Sequence, residues 1–408
     1  MKENTVKDGE LNMQNNMIKS LLDNDQYKFN MCQVVFHYFP EVQVKYKFID
    51  RNNQDYPEGM ADAVKEEIKY LSQLKLTKNE KVFLSHHHMK PDYLDWLETF
   101  QFNPEQVEVK QVDKKLNITI TGPWKETIFW EVPLMAIISE LYYKLNELNV
   151  VDTYYGLPKE KATKLSEAGV KWTDFGTRRR YSFALQYTIN EVMRNFPGYL
   201  GTSNVYLAKL LNVKPVGTSA HEAVMAMEAK YGFRQANRKW LEFWMKEYGN
   251  ELSIALTDTL TTDVFLRDFD YELASKFNGV RQDSGNPYEF GEKIVKHYEK
   301  LGIDAKTKTI IFSDALTTDK AIGLHKCFSG RINTIFGIGT HFTNDTGHKP
   351  LNIVIKMHSA DFGDGFKNVI KLSDDIGKHT GDLATIKAAK EELYVGYIKI
   401  NLLDFETG

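Results

Sequence analysis

Arg281 and Asp283 stand two residues apart in Arg281-Gln282-Asp283-Ser284-Gly285, just ahead of Asn286-Pro287. At that spacing two residues of a strand share a face. The guanidinium suits an anionic or aromatic substrate, and the carboxylate suits sugar hydroxyls or a metal-bound phosphate. A salt bridge at the start of a following helix, capped by Asp283, Ser284 or Asn286, fits the same residues. Gly337-Ile338-Gly339-Thr340 follows a strand-like run. Small residues let the backbone approach an anion, and Thr340 adds a hydroxyl, which suits a phosphate; a plain strand-to-helix connector has the same composition. In Asp174-Phe175-Gly176-Thr177-Arg178-Arg179-Arg180 an aromatic platform beside guanidinium groups suits a flat anionic ring. Phe175 fits a core equally well, and the arginines a solvated face. His221-Glu222 follows Gly217-Thr218-Ser219-Ala220. A zinc-protease pattern needs a second histidine where Met225 stands, so His221 reads as acid, base or nucleophile, or as a structural histidine. His86-His87-His88 has the composition of a metal tract but lacks a nearby carboxylate or cysteine. Asp258, Asp263 and Asp314 supply further carboxylates. Arginines, a glycine-rich turn and acids together fit an anionic phosphosugar with Mg²⁺.

These groups need elements to hold them. From about Lys171 short apolar runs alternate with amphipathic stretches. Ser253–Leu256, Thr309–Phe312, Asn333–Phe336 and Asn352–Ile355 read as strands, and Pro287–Leu301 as a helix with Phe290, Ile294, Tyr298 and Leu301 on one face. Such alternation predicts a parallel sheet, open or closed. Nearly every strand there ends in a polar cluster, including Gly201-Thr202-Ser203, Thr257-Asp258-Thr259 and Ser313-Asp314. A (β/α) barrel gathers such ends at one mouth, whereas an open sheet spreads them along an edge, so the clusters favour a barrel. Ahead of it, Val42–Phe48 alternates strictly, and Val107–Val112 and Leu116–Ile120 pair around Asp113-Lys114-Lys115. With helical stretches at Met60–Leu71 and Lys90–Phe100, this is an α+β region with an antiparallel sheet. Leu134–Leu148 reads as a helix.

The chain has 408 residues, 42% hydrophobic and 26% charged, which exceeds one ordinary core. The expected division is a mobile N-terminal arm over 1–24, an α+β domain over 25–132, a (β/α) barrel over 133–357, and a segment over 358–408 packing back on the smaller domain. A net charge of −3 argues against a nucleic-acid partner. The polar N-terminus and the absence of a long apolar run point away from secretion and membranes. Cys32 and Cys327 are expected to be reduced core thiols in a cytoplasmic protein.

Taken in order, the clusters identify the chain as similar to nicotinate phosphoribosyltransferases. The likeness runs from Leu22–Lys28 through Glu131-Val132-Pro133-Leu134, Phe175–Arg180, Gly201–Val205, Gly217–Glu222, Val280–Gly285 and Phe336–Thr340 to Lys371-Leu372-Ser373-Asp374. It implies an α/β fold, the irregular (β/α) barrel of type II phosphoribosyltransferases with a second, smaller α+β domain. It also implies a head-to-tail homodimer with active sites at the interface. The substrates would be nicotinate, phosphoribosyl pyrophosphate and ATP, with Mg²⁺ bound through phosphates rather than by direct protein ligands. By that likeness His221 is the phosphorylated histidine and, with Asp283 and Arg281, forms the catalytic group. Phe175 stacks on the pyridine ring, and Tyr27 of the neighbouring subunit covers its other face. Arg178, Thr202, Ser203 and Thr218 complete the nicotinate site. Ser284, Gly285, Ser313, Asp314, Gly337, Gly339 and Thr340 hold the phosphoribosyl group.

Nicotinamide-using relatives carry an acidic residue where this chain has Ser203, and a neutral hydroxyl tolerates a substrate carboxylate better. The rivals are therefore a nicotinamide-using enzyme of the same fold, a non-catalytic binding protein that keeps the fold, and an aldolase-like barrel using Lys356. Asn24 and Gln26 depart from the family's usual residues, and His358–Phe366 reads as an unusual loop.

Overall fold

The computed structural model describes residues 16–150 and 156–403. Residues 1–15 of the expected arm lie outside the described residues. Residues 16–24 are packed rather than free. Ile18, Leu21 and Leu22 are buried, and Asp23 receives both terminal nitrogens of Arg180 at 2.7 and 3.0 Å. The polar look of this segment hid an ion pair whose partner lies far along the chain.

Eleven strands occur among the described residues: β1 (Gln43–Asp50), β2 (Val107–Val112), β3 (Lys115–Pro123), β4 (Trp172–Asp174), β5 (Tyr199–Thr202), β6 (Ile254–Leu256), β7 (Gly279–Gln282), β8 (Thr309–Phe312), β9 (Asn333–Ile338), β10 (Ile353–Asp361) and β11 (Lys367–Asn368). The first sheet has the order β11-β10-β1-β3-β2, and every pairing in it is antiparallel. In β1, Val44 and Tyr46 are buried between exposed Lys45 and Lys47, as alternation predicts for a sheet with one wet face. β2 and β3 meet in a hairpin at Asp113-Lys114, where Asp113 takes the left-handed conformation at φ 52°. Helices Met60–Leu71 and Pro91–Thr99 belong to the same region.

β10 corrects one expectation. The run at 352–355 does not join the parallel set but pairs antiparallel with β1, Tyr46 opposite Met357. Its burial alternates, Ile353, Ile355 and Met357 inward. The apolar Val354 between them masked that period in the sequence. The strand also absorbs the start of the supposed loop at 358–366. Asp361 accepts hydrogen bonds from Gly363 and Gly365 N–H at 2.7 and 2.9 Å, which turns the chain into β11.

The second sheet is parallel, in the order β5-β4-β9-β8-β7-β6. β7 is buried at every position, as a strand covered on both faces requires. Among the described residues β5 and β6 are not hydrogen-bonded to each other. In that sense the expected barrel is irregular. Between those two edges run helices Val205–Leu211, His221–Tyr231 and Phe233–Tyr248. One hydrophobic core joins both sheets. The C-terminal segment does not simply return to the small domain. Residues 369–380 cross the parallel strand ends, where Leu372 N–H bonds to Thr259 carbonyl at 2.8 Å. Helix Leu383–Leu403 then packs on Phe233–Tyr248. Arg267 lies beneath this helix and bonds the Leu393 carbonyl at 3.0 Å, a contact with no local sequence signal.

Candidate active site

His221 opens helix His221–Tyr231 with its side chain almost wholly buried. Its Nδ1 lies 3.0 Å from Thr259 Oγ1, beyond β6, and its Nε2 lies 2.9 Å from Asp283 Oδ2, beyond β7. Lys371 Nζ, carried across the mouth by residues 369–380, is 2.9 Å from the same Nε2 and 3.2 Å from Asp258. Burial first, and the Lys371 charge second, lower the His221 pKa to about 4 against the pull of Asp258 and Asp283. The imidazole is therefore neutral at pH 7 and keeps a lone pair. Burial opposes ionisation of Asp283, yet Arg281, His221 and Lys371 hold it well below the usual carboxylate range. Ligand atoms of His221, Asp258 and Asp283 lie within 4.8 Å of one another. The Lys371 ammonium stands among them and supplies the positive charge that a metal would bring. His86, His87 and His88 join no such group among the described residues.

Above this floor opens a cleft of about 340 Å³ lined by Phe175, Arg178, Arg179, Arg281, Asp283, Ser313, Gly339 and Thr340, among others. Arg281 is held on every side. Its Nη2 meets Asp283 Oδ1 at 2.8 Å, its Nε donates to Ser313 Oγ at 2.9 Å, and its Nη1 donates to the Ser219 carbonyl at 3.0 Å and Thr218 Oγ1 at 3.3 Å. Arg281 on β7 and Asp283 just beyond its end thus give both a salt bridge and a cleft wall. Asn286, rather than Asp283, caps the following helix Pro287–Lys300.

A narrower recess adjoins the cleft, lined by Asp25, Tyr27, Phe175, Arg178, Ser203, Thr218 and Arg281. The Tyr27 here belongs to the same chain as Phe175, which corrects its assignment to a neighbouring subunit: the packed segment 16–24 delivers it. The Phe175 ring occupies space that any side chain at 337 would need, since a Cβ there would sit 2.3 Å from the ring. Gly337 therefore makes room for Phe175 instead of holding phosphate, while Gly339 and Thr340 do face the cleft.

Several expected site residues stand one step back. Thr202 donates to Asp174 at 2.8 Å, within a cluster where that buried carboxylate also accepts from Gly176, Gln186 and Asn190. Ser284 donates to Asp258 at 2.5 Å and accepts from Asp374 N–H at 3.0 Å. Gly285, at φ 76°, lies beneath Asp374. Asp314 is paired with Lys378 at 2.8 Å. Of the arginine run, Arg178 and Arg179 reach the cleft, whereas Arg180 is buried with Asp23 and Glu140. Cys32 is a buried free thiol as expected, but Cys327 is exposed.

Sequence reasoning missed Asp25, Lys371 and Arg51, and left Arg179 undistinguished within its cationic run. Ser203 Oγ donates to Asp25 at 2.8 Å, so its hydroxyl is not idle. Arg51 loses basicity to burial, partly offset by Asp283 and Asp314 nearby. Lys371 and Asp25 lay in stretches noticed only for their likeness, with no local pattern to announce a charge at the site.

Comparisons with known proteins show the family. The model of the nicotinate phosphoribosyltransferase (NAPRTase) family matches residues 170–397, and that of the family's N-terminal domain matches residues 22–139. Nicotinate phosphoribosyltransferase of Desulforapulum autotrophicum is 46% identical, over 90% of this chain and 96% of its own. That of Chromohalobacter salexigens is 43% identical, over 92% and 98%. The crystal structure of the Porphyromonas gingivalis enzyme superposes with a TM-score of 0.89 at 38% identity, covering 92% of this chain and 99% of that one. No helix among the described residues is long and apolar enough to cross a membrane. The chain belongs to the nicotinate phosphoribosyltransferase family.

Proposed function

We propose that this chain joins nicotinate to phosphoribosyl pyrophosphate, forming nicotinate mononucleotide and pyrophosphate, a step of NAD biosynthesis, and that ATP hydrolysis is coupled to it through a phosphohistidine at His221. The observation that carries this reading is the buried His221 imidazole, 2.9 Å from both Asp283 and Lys371, at the floor of an arginine-lined cleft with an aromatic recess beside it.

The pyridine ring lies between Phe175 and Tyr27, with Arg178, Arg281 and Thr218 toward its carboxylate. Ser313, Gly339 and Thr340 take the 5-phosphate, and Arg179 takes the pyrophosphate. The ring nitrogen bonds to the anomeric carbon as the bond from that carbon to pyrophosphate breaks. Positive charge developing there is stabilised by the Asp283 carboxylate, which is already ionised and fixed by Arg281. Mg²⁺ would be carried by the phosphates rather than by direct protein ligands, beside the cleft carboxylate Asp283, and would neutralise charge on the leaving group. In the ATP half-reaction, His221 Nε2 bonds to the γ-phosphorus as ADP leaves, and water later cleaves that bond to release phosphate. Lys371 is placed to balance the added charge.

Asp25 is the observation that favours nicotinamide as a second reading, because a carboxylate in the recess suits an amide better than an acid. The two arginines of the recess weigh the other way. Product formation from phosphoribosyl pyrophosphate with nicotinate or nicotinamide, with and without ATP, tests the proposal. Selective use of nicotinate, accelerated by ATP in the wild type but not in His221→Ala, is the expected result. Equal use of nicotinamide would overturn the substrate assignment, and undiminished ATP stimulation in His221→Ala would overturn the phosphohistidine. We further propose a cytoplasmic homodimer, for which light scattering of the purified protein is the check.

A further inference from the structure

Three helices bring their first turns together beside the recess: Gln26–Tyr38, Glu131–Leu145 and His221–Tyr231. Where they meet, Lys28 is wholly buried, its Nζ 2.7 Å from Glu131 and 2.7 Å from Glu222. Helix N-termini carry partial positive charge, so a buried ammonium among three of them is stable only because the carboxylates surround it. Burial works against an ionised Glu131, yet Lys28, Lys356 and Arg178 together hold its pKa to about 2. Glu222 is pushed up by burial, with Lys28 opposing the shift.

The cluster touches the site at three places. Lys28 follows Tyr27 in the chain, and Glu222 follows His221. Glu131 Oε1 stands 3.5 Å from Arg178 Nη1, and the Arg178 guanidinium stands 6.0 Å from the centre of the Tyr27 ring. One lysine thus joins the segment carrying the recess tyrosine, the helix carrying the histidine, and the carboxylate that holds the recess arginine.

We propose that Lys28 is a positioning residue, which sets Tyr27 and Arg178 in register with His221 and so determines affinity for the pyridine substrate. The inference rests on the recess being the nicotinate site. Without the ammonium, Glu131 and Glu222 face each other as like charges across its empty place. Arg178 is the nearest cation able to answer them, and it moves toward Glu131 and away from the Tyr27 ring. The phosphoribosyl end of the cleft, built on Ser313, Gly339 and Thr340, is not part of the cluster and keeps its geometry.

The test uses Lys28→Met, Lys28→Arg, Glu222→Gln, and Lys28→Met combined with Glu222→Gln, with KM measured separately for nicotinate and phosphoribosyl pyrophosphate. Lys28→Met raises the nicotinate KM about 10- to 100-fold, the range for a small misplacement of a binding group, and leaves the phosphoribosyl pyrophosphate KM little changed. Lys28→Arg restores part of the loss. Glu222→Gln in the Lys28→Met background also recovers affinity, because it removes one of the two opposed charges. A general structural defect would instead lower activity toward both substrates and be worsened by the second substitution, and that result overturns the proposal. If Lys28→Met fails to fold, Glu222→Gln alone decides, because it weakens nicotinate selectively under the proposal and both substrates or neither if the proposal is wrong. Arg178→Lys separates the two levels of the argument. A raised nicotinate KM in Arg178→Lys, with none in the Lys28 and Glu222 variants, removes the role of Lys28 and leaves the recess. No change in any of them removes both.

Discussion

Replacing Lys371 by methionine should raise the His221 pKa part of the way back toward that of an ordinary histidine. The ammonium lies 2.9 Å from Nε2, and both groups are buried. At that distance and an effective dielectric of about 20, a like-charge interaction is worth about 6 kcal/mol. One pKa unit corresponds to about 1.4 kcal/mol, so even a fraction of the interaction moves the titration by more than a unit. In the wild type the imidazole pKa sits at about 4, lowered first by burial and then by Lys371 while Asp258 and Asp283 pull upward. With Lys371→Met the carboxylates are opposed by burial alone and the pKa rises. Phosphorylation of His221 by ATP needs the unprotonated ring. It should therefore be flat with pH above about 4 in the wild type, and its acid limb should move to higher pH in the variant. Radiolabel transfer from γ-labelled ATP across a pH series reads the limb, and NMR of labelled histidine reads the pKa directly. A variant in which the His221 pKa stays where it was would refute the assignment of Lys371 as a cause.

Other consequences follow from the same contacts. Arg180→Met leaves Asp23 and Glu140 buried without their cation, and should cost about 3–5 kcal/mol in denaturant unfolding; a loss under 1 kcal/mol would mean that segment 16–24 is not held as described. Gly337→Ala displaces the Phe175 ring, so calorimetry should show nicotinate binding weakened about tenfold or more, while unchanged binding would take Phe175 out of the recess. Stability should fall as pH drops from 6.5 toward 4, because the folded pKa of His221 lies below its unfolded value and the unfolded chain binds the extra proton in that window. The gap corresponds to roughly 3 kcal/mol at the acid end. His221→Asn should flatten that part of the melting-temperature profile, and an equally steep profile would deny the depressed pKa.

Much of the site was legible because its pieces sit at strand ends, where local composition changes abruptly. Arg281 and Asp283 showed their shared face through a two-residue spacing, and Phe175 through the arginines after it. What escaped was whatever depends on contacts distant in sequence. Arg178, Arg179 and Arg180 are chemically alike in the sequence, and only the fold sends the third inward to Asp23. Ser203 read as a free hydroxyl because nothing near it announces Asp25. Gly337 and Gly339 looked equivalent, yet one clears space for a ring and the other faces the cleft. In the fold, the alternating strands of the small sheet were plain, but β10 hid its period of two behind Val354 and was assigned to the wrong sheet. Tyr27 was given to a second subunit on the family likeness alone, whereas in the fold it lines the recess with Phe175 of its own chain.

The crossing of residues 369–380 over the parallel strand ends sets an order of events during synthesis. Tyr27 leaves the ribosome long before Lys371 does. Every strand of the parallel sheet can emerge and pair while the place beside His221 Nε2 still lacks its ammonium. Until residue 371 arrives, the buried Asp258 has no cation at hand, and His221 titrates without the nearby charge that keeps it neutral. A nascent chain can thus hold a nearly finished scaffold while the charge at its centre is still missing.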